Sequence, residues 1–290
     1  KLPPGHFLIW NSKSEVIVKR YYFSIPQDNN SQIDLTRIDH LLKKSVEITC
    51  RADVPVAFLL SGGLDSSLVL ALTRAVYPQK TIEAFHIHNH SRSYNELEFA
   101  KKVSQQLNVH LNVCSLDDSA LTALALSVPG MLDEPQADPG LLPKYHICRF
   151  IKEKFKVALT GDGGDELFLG YLLFKAEKLA QAYHYIPSSV NDYLVKPLVR
   201  LIPTSFGYMA TSFIANKFFN GFPAPDALRS LRWMESFSNQ EMANLVPDAS
   251  DSQSYSNRLI ELYEEASGSG YLDKLAYRMQ NTYLPDYVLP

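Results

Sequence analysis

Short apolar runs alternate with helix-like segments between residues 56 and 159, and this alternation constrains the fold more than any other feature. Four runs have the length and residue types of strands, and they cover residues 56–60, 82–87, 109–114 and 156–159. Apolar residues at helical spacing predict helices over about residues 34–49, 66–76, 97–107, 119–127 and 141–153. Strands that alternate with helices form a parallel sheet with helices on both faces. The sequence therefore predicts an α/β fold with a doubly wound parallel sheet.

The chain has a different character on either side of this region. Residues 6–10 and 16–18 are apolar runs around a polar turn, which predicts a hairpin. The polar residues 26–33 read as a linker and a domain boundary. After Tyr171 the alternation stops, and the sequence predicts a mainly helical region over residues 172–290.

Composition and charge exclude several classes of function. The net charge is −3 and no basic stripe is present, which argues against a nucleic-acid partner. No window approaches 18 uninterrupted apolar residues, so we expect no membrane span. The three cysteines, Cys50, Cys114 and Cys148, have neither metal-ligand nor disulfide spacing, and such sparse use suits the reducing cytoplasm.

A glycine-rich loop follows the first predicted strand of the sheet. From Leu60 to Ser67 it reads Leu-Ser-Gly-Gly-Leu-Asp-Ser-Ser and leads into a predicted helix. Unpaired N–H groups at a helix N-terminus bind anions, and Gly62 and Gly63 have no Cβ to hinder a close approach. These features predict a phosphate or pyrophosphate site. Asp65 would repel phosphates unless a cation lay between them, which indicates Mg²⁺.

A second glycine-rich turn follows the last predicted strand. Residues 160–166 read Thr-Gly-Asp-Gly-Gly-Asp-Glu. Doubly wound sheets bind ligands at the carboxyl edge, so we expect both loops to face one crevice. Mg²⁺ usually takes one or two protein carboxylates besides phosphate oxygens and water, so Asp65 and one acid of this turn would suffice. The plainer alternatives are a capped strand-to-helix turn and a solvated acidic turn.

These motifs resemble a known family. Residues 61–66 are similar to the pyrophosphate loop of the ATP-pyrophosphatase superfamily. Together with residues 133–135 (Asp-Glu-Pro) and 160–171, they resemble asparagine synthetase, and residues 2–6 and 282–286 also fit that family. The resemblance implies a fold of the ATP-pyrophosphatase type.

The resemblance also implies a division of the chain. Residues 1–30 would be the remnant of an upstream glutaminase domain with its linker, and residues 31–290 a synthetase domain. The nucleotide-binding α/β core would cover about residues 31–171, and the helical part about residues 172–290. The catalytic Cys of the glutaminase domain and a later segment with a catalytic Lys are missing from the sequence, so we expect a piece cut at both ends.

The functional positions of the family carry over to individual residues. Five would hold the pyrophosphate end of ATP: Ser61, Gly62, Gly63, Asp65 and Ser66. Four would line the nucleotide: Leu60, Ile87, Thr160 and Gly161. Asp65 and Asp165 would hold Mg²⁺. Asp162 would be the catalytic acid tied to the acyl-adenylate, at a position where many members carry the longer Glu.

The implied activity is ATP-dependent amide formation. A carboxylate, with aspartate expected, would be activated as its adenylate with release of pyrophosphate. Ammonia, free or from a glutaminase domain, would then give the amide and AMP. The expected partners are these small molecules, without nucleic acid or membrane, and a homo-oligomer stays open.

Several alternatives remain at this stage. Pro139-Gly140 replaces a Ser-containing stretch of the family where an acyl substrate could bind, so another carboxylate is open, as in a β-lactam synthetase, a lasso-peptide cyclase or a sugar-acid amidotransferase. A non-catalytic scaffold is an alternative of a different class. His86, His88 and His90 alternate along a predicted strand, either as metal ligands or as polar residues at a strand end.

Overall fold

A computed structural model of the chain describes residues 2, 5–12, 16–20, 33–89, 96–134, 136, 138, 140–203, 210–222, 224–237, 239–245, 252–266 and 270–288. The chain divides into two compact units. One consists of Gln32–Gly164, and the other combines Lys1–Ser31 with Asp165–Pro290.

The described residues near the N-terminus form a β-hairpin. Strand β1 (His6–Trp10) pairs antiparallel with β2 (Val16–Arg20), with Leu8 opposite Val18. The hairpin predicted from the two apolar runs is thereby confirmed.

A four-stranded parallel sheet is the centre of the unit Gln32–Gly164. Its strands are β3 (Val56–Leu59), β4 (Glu83–Asn89), β5 (His110–Leu116) and β6 (Val157–Leu159). They are ordered β5-β4-β3-β6, and each neighbouring pair is parallel. From β3 the chain proceeds outward through β4 to β5, and then returns to the other side of β3. The boundary between β3 and β6 is therefore the topological switch point of the sheet, where doubly wound folds bind ligands.

Helices cover both faces of this sheet because successive residues of β3 point to opposite sides. The helices are α1 (Leu35–Thr49), α2 (Leu64–Val76), α3 (Leu97–Gln106), α4 (Asp118–Ser127) and α5 (Leu141–Ile151). One buried core joins β3 to α1, α2 and α3, and it contains Val46, Phe58, Leu70 and Ala100. The core on the other face joins the sheet to α5, and it contains Ala57, Cys114, Ile147 and Ile151. The doubly wound α/β fold is confirmed.

Two helix starts illustrate how the sequence sets the elements. The Asp34 carboxylate accepts a hydrogen bond from the Arg37 N–H at 3.1 Å, as expected for an N-cap. Helix α2 begins at Leu64, two residues before the predicted start, because Gly63 is its N-cap in extended conformation. Asp65 therefore lies inside the first turn of α2 rather than ahead of it.

The described part of Asp165–Pro290 is helical, as predicted. Following α6 (Gly164–Phe168), its helices are α7 (Leu172–Tyr183), α8 (Ser188–Val190), α9 (Lys196–Arg200), α10 (Thr211–Gly221), α11 (Asp226–Met234), α12 (Asn239–Leu245), α13 (Ser252–Glu265) and α14 (Tyr271–Asn281), with single π turns at Asn191–Val195 and Leu284–Val288. Its buried core contains Phe174, Ala227, Tyr263, Leu275 and Met279. Within the described residues, no helix combines the length and the apolar character needed to cross a membrane.

Candidate functional site

The two glycine-rich loops meet at the switch point of the sheet. Because Phe58 pairs with Leu159, strands β3 and β6 end side by side. A Cβ built on Gly161 would lie 2.6 Å from the backbone N of Ser66, and one on Gly164 would lie 2.6 Å from Cγ of Asp65. At Gly161 the neighbour is backbone, so this close packing requires glycine there. The prediction that both loops lie at one edge is confirmed for their parts within this unit.

Gly62 fits the first loop through both its conformation and its size. Its φ of +91° lies in the left-handed region that favours glycine. A Cβ there would lie 2.6 Å from N of Ala100 and 2.8 Å from Cβ of Phe99. The loop is thus wedged against the start of α3, which fixes its position.

The hydroxyl groups of the first loop form a small network. Oγ of Ser61 lies 2.9 Å from Oγ of Ser66, and it accepts a hydrogen bond from the Gly63 N–H at 3.1 Å. No side chain caps α2 at Gly63. Oγ of Ser67 is buried and has no hydrogen-bond partner within the described residues. The loop therefore presents hydroxyls and an uncapped helix N-terminus, which together suit an anion.

The backbone of Leu60 is held by its neighbour strand. Its N–H donates to the Phe85 carbonyl at 2.8 Å, and its carbonyl lies 2.8 Å from Nδ1 of His86. That distance assigns the ring proton to Nδ1, since a carbonyl can only accept. His86 is 4% exposed, and burial lowers the pKa of its imidazole, which favours the neutral ring. Ile87 follows on β4 and packs against the core of the α5 face.

Two members of the predicted histidine trio can be placed against the prediction. His86 bonds to the backbone rather than standing open to a metal, and His90 lies outside the described residues. Among the residues that the structure describes, no group of three His, Cys, Asp or Glu side chains is arranged to hold a metal ion.

The second turn is held internally and by a lysine. Gly163 has a φ of +92°, and the Asp162 N–H donates to Oγ1 of Thr160 at 3.2 Å. The Asp162 carboxylate lies 3.1 Å from Nζ of Lys144, with 35% and 37% of the two side chains exposed. Sequence reasoning missed Lys144. The available signal was its place in the first turn of the helix that precedes β6.

The remaining acids of the motif belong to the other unit. Glu166 is 1% exposed, and it accepts a hydrogen bond from the Tyr171 hydroxyl at 2.6 Å. Burial and the nearby Glu166 carboxylate raise the pKa of Tyr171 far above its usual value, so the phenol stays protonated. The carbonyl of Asp165 accepts from the Gly170 N–H at 3.0 Å. Of the acidic stretch 133–135, Asp133 and Glu134 are described and Pro135 lies outside the described residues.

The fold and loops define an α/β protein with two glycine-rich turns at the switch point of a parallel sheet. The sequence profile of the family described as asparagine synthase matches residues 37–290. The chain belongs to the asparagine synthase family.

Curated relatives agree with this membership. The chain is similar to asparagine synthetase (glutamine-hydrolyzing) 1 of Bacillus subtilis, with 26% identity over 67% of this chain and 31% of that protein. It is also similar to asparagine synthetase B (glutamine-hydrolyzing) of Escherichia coli, with 29% identity over 63% of this chain and 36% of that protein. The chain thus spans about a third of the length of these relatives.

Among solved structures, the chain is similar to an NH3-dependent NAD synthetase from Campylobacter jejuni at 17% identity and a TM-score of 0.36. The likeness covers 79% of this chain and 95% of that chain, and it is too distant to bear on function.

Proposed function

We propose that this chain is the synthetase part of an enzyme that forms an amide from a carboxylate and ammonia at the expense of ATP. Aspartate is the proposed carboxylate, which gives asparagine, AMP and pyrophosphate as products. The observation that carries the proposal is the packing of the two glycine-rich loops at the switch point, in a member of the asparagine synthase family. The need for ATP favours a cytoplasmic location.

The first loop is the proposed site for the pyrophosphate end of ATP. Its support is the uncapped N-terminus of α2 and the hydroxyl network around Ser61 and Ser66. We assign Gly62 and Gly63 to the same site from the motif, with Gly62 packed against the start of α3. We assign the lining of the nucleotide to Leu60, Ile87, Thr160 and Gly161.

The carboxylate oxygens of this loop also fit Mg²⁺, which usually takes one or two protein carboxylates besides phosphate oxygens and water. Asp65 is the proposed ligand in the first loop, where its carboxylate lies directly against Gly164. Asp165 is the proposed second ligand, on the strength of the motif alone. When bound, Mg²⁺ would neutralise the charge of the phosphates and favour departure of pyrophosphate.

The proposed reaction has two steps. A carboxylate oxygen of the substrate bonds to the α-phosphorus of ATP, and the bond to pyrophosphate breaks. Ammonia then attacks the acyl carbon, loses a proton, and releases AMP. Both steps need orientation and exclusion of water more than a nucleophilic side chain. Asp162 is the proposed catalytic acid, next to Lys144 at the edge of the sheet.

The test measures pyrophosphate and AMP released by the full-length protein with ATP, Mg²⁺, ammonia and a set of carboxylates that includes aspartate. We expect the two products in equal amounts. Asp65→Asn should abolish release, whereas Asp39→Asn, which changes an exposed carboxylate paired with Lys43 on α1, should not. Release that survives Asp65→Asn would remove Asp65 from the site, and release with no carboxylate would overturn the proposed function.

A further inference from the structure

Lys144 and Asp162 form an ion pair whose position, rather than its contribution to stability, calls for an explanation. Their charged atoms lie 3.1 Å apart, and more than a third of each side chain is exposed. Ion pairs this exposed contribute little to folding. A lysine at the end of a flexible stem can exchange one anionic partner for another at small cost.

The pair lies at the carboxyl edge of the sheet. Asp162 lies three residues after the end of β6, and Lys144 is in the first turn of α5. Two residues further along α5, Nε2 of His146 lies 3.0 Å from the carbonyl of Ser115 near the end of β5. Two independent contacts therefore place the start of α5 at the edge where both glycine-rich loops lie.

Helix α5 approaches this edge from the face opposite α2. Leu70 of α2 is buried in the core that contains Phe58, and Ile147 of α5 is buried in the core that contains Ala57. Phe58 and Ala57 are neighbours on β3 and point to opposite sides. The proposed pyrophosphate site at the start of α2 and the Lys144 ammonium thus flank the switch point from two sides.

The geometry of displacement at phosphorus relates the two sides of the switch point to the two reacting groups. The attacking and the leaving oxygen stand roughly in line on opposite sides of the phosphorus atom. With pyrophosphate on the α2 side, the attacking carboxylate arrives from the α5 side. That side holds the Asp162 carboxylate, which repels an anionic substrate unless a cation is present.

We propose that Lys144 binds the carboxylate substrate. Asp162 holds the Lys144 ammonium at the α5 side of the switch point, and an anionic group of the substrate pairs with this ammonium. The inference rests on the proposed function and adds a specificity-determining residue to it. The substrate is expected to be a small molecule with an ionised carboxylate at the time it reacts with ATP.

The test compares Lys144→Met, Lys144→Arg and Lys43→Met in the full-length protein, with pyrophosphate release as the readout. Lys43 is the matched control, since it forms a 2.7 Å pair with Asp39 on α1 and is similarly exposed. We expect Lys144→Met to raise the KM for aspartate, or for the carboxylate that the parent uses best, about tenfold or more, as for loss of a charged hydrogen bond. The KM for ATP should change less than about twofold, and Lys144→Arg should restore most of the affinity.

Salt provides a second readout that a structural role would not move. The KM for the carboxylate should rise with ionic strength in the parent and depend less on salt in Lys144→Met. An unchanged KM for the carboxylate, or equal rises in both KM values with a lower melting temperature, overturns the inference and leaves the proposed function intact. A parent that releases no pyrophosphate with any carboxylate overturns the proposed function, and the inference with it.

Discussion

A single residue, Gly161, sets the distance between the two glycine-rich loops. A methyl group there would lie 2.6 Å from the backbone N of Ser66, and backbone cannot move aside as a side chain can. We predict that Gly161→Ala costs about 1–3 kcal/mol of unfolding free energy, as overpacking does, and weakens ATP binding. Gly130→Ala is the control, because a Cβ on Gly130 would meet nothing within 4 Å. Denaturant unfolding and ATP titration of both variants check this, and equal behaviour would contradict it.

His86 makes stability depend on pH. Burial is the main cause that lowers the pKa of its imidazole from the usual 6.5, so the folded state binds fewer protons than the unfolded state just below that pH. Stability from this group is therefore full above about pH 6.5 and declines as the pH falls through the folded pKa.

We predict that the free energy of unfolding falls less between about pH 7.5 and 5.5 in His86→Asn than in the parent. The amide of Asn can still donate to the Leu60 carbonyl without becoming charged. Urea titrations at the two pH values measure the difference. An identical decline in both proteins would show that His86 does not titrate in this way.

Sequence reasoning about single residues reached those inside a contiguous motif. Asp65 and Asp162 stood out because each lies in a glycine-rich turn that follows a strand. Lys144 did not, because it lies outside that motif and meets Asp162 only when α5 packs back against the sheet. His86 was noticed as one of an alternating trio, but its bond to the Leu60 carbonyl depends on how β4 pairs with β3.

Helices α7 and α11 are joined by a buried ion pair. Nη1 of Arg229 lies 2.8 Å from Oε2 of Glu177, with 7% and 2% of the side chains exposed. Burial raises the pKa of the Glu177 carboxyl although Arg229 opposes this, so the carboxylate depends on its cation.

Arg229→Met should therefore cost about 3–5 kcal/mol of unfolding free energy at neutral pH, because a charge stays buried without its partner. The loss should be smaller in acid, where Glu177 is protonated. Adding Glu177→Leu should recover most of the stability. Arg258→Met on α13, whose pair with Glu261 is exposed, should cost less than about 1 kcal/mol. Denaturant unfolding of the parent, the two single variants and the double variant measures these differences. An Arg229→Met protein as stable as the parent would contradict the prediction.

The elements were predictable where the sequence has a clear period. The strands and helices of Gln32–Gly164 lie within a few residues of their predicted places, since buried parallel strands and amphipathic helices leave different patterns. The helical region was predicted only as a class. Its contacts, such as that between Glu177 and Arg229, join residues far apart in the chain, and local patterns carry no record of them.

Ligand binding should stabilise the whole molecule. A ligand that binds only the folded state adds about 2.7 kcal/mol at a hundred times its Kd. We predict a higher melting temperature with ATP and Mg²⁺ than with ATP and a chelator, because the proposed ion offsets repulsion between Asp65 and the phosphates. Asp65→Asn should remove the difference between the two conditions. If ATP raised the melting temperature of the parent equally with Mg²⁺ and with the chelator, the proposed ion would be contradicted.

Strand β6 contributes only three residues at one edge of the described sheet, and the second glycine-rich turn follows directly from it. Few ladder hydrogen bonds anchor so short a strand, whereas β3 lies between two partners. The shortest strand of the described sheet therefore carries the turn that completes the proposed site, and short edge elements are where local opening tends to begin. Brief fraying of this edge would disrupt the proposed site before the core of the unit opened, and a nucleotide bound to both loops would oppose that fraying.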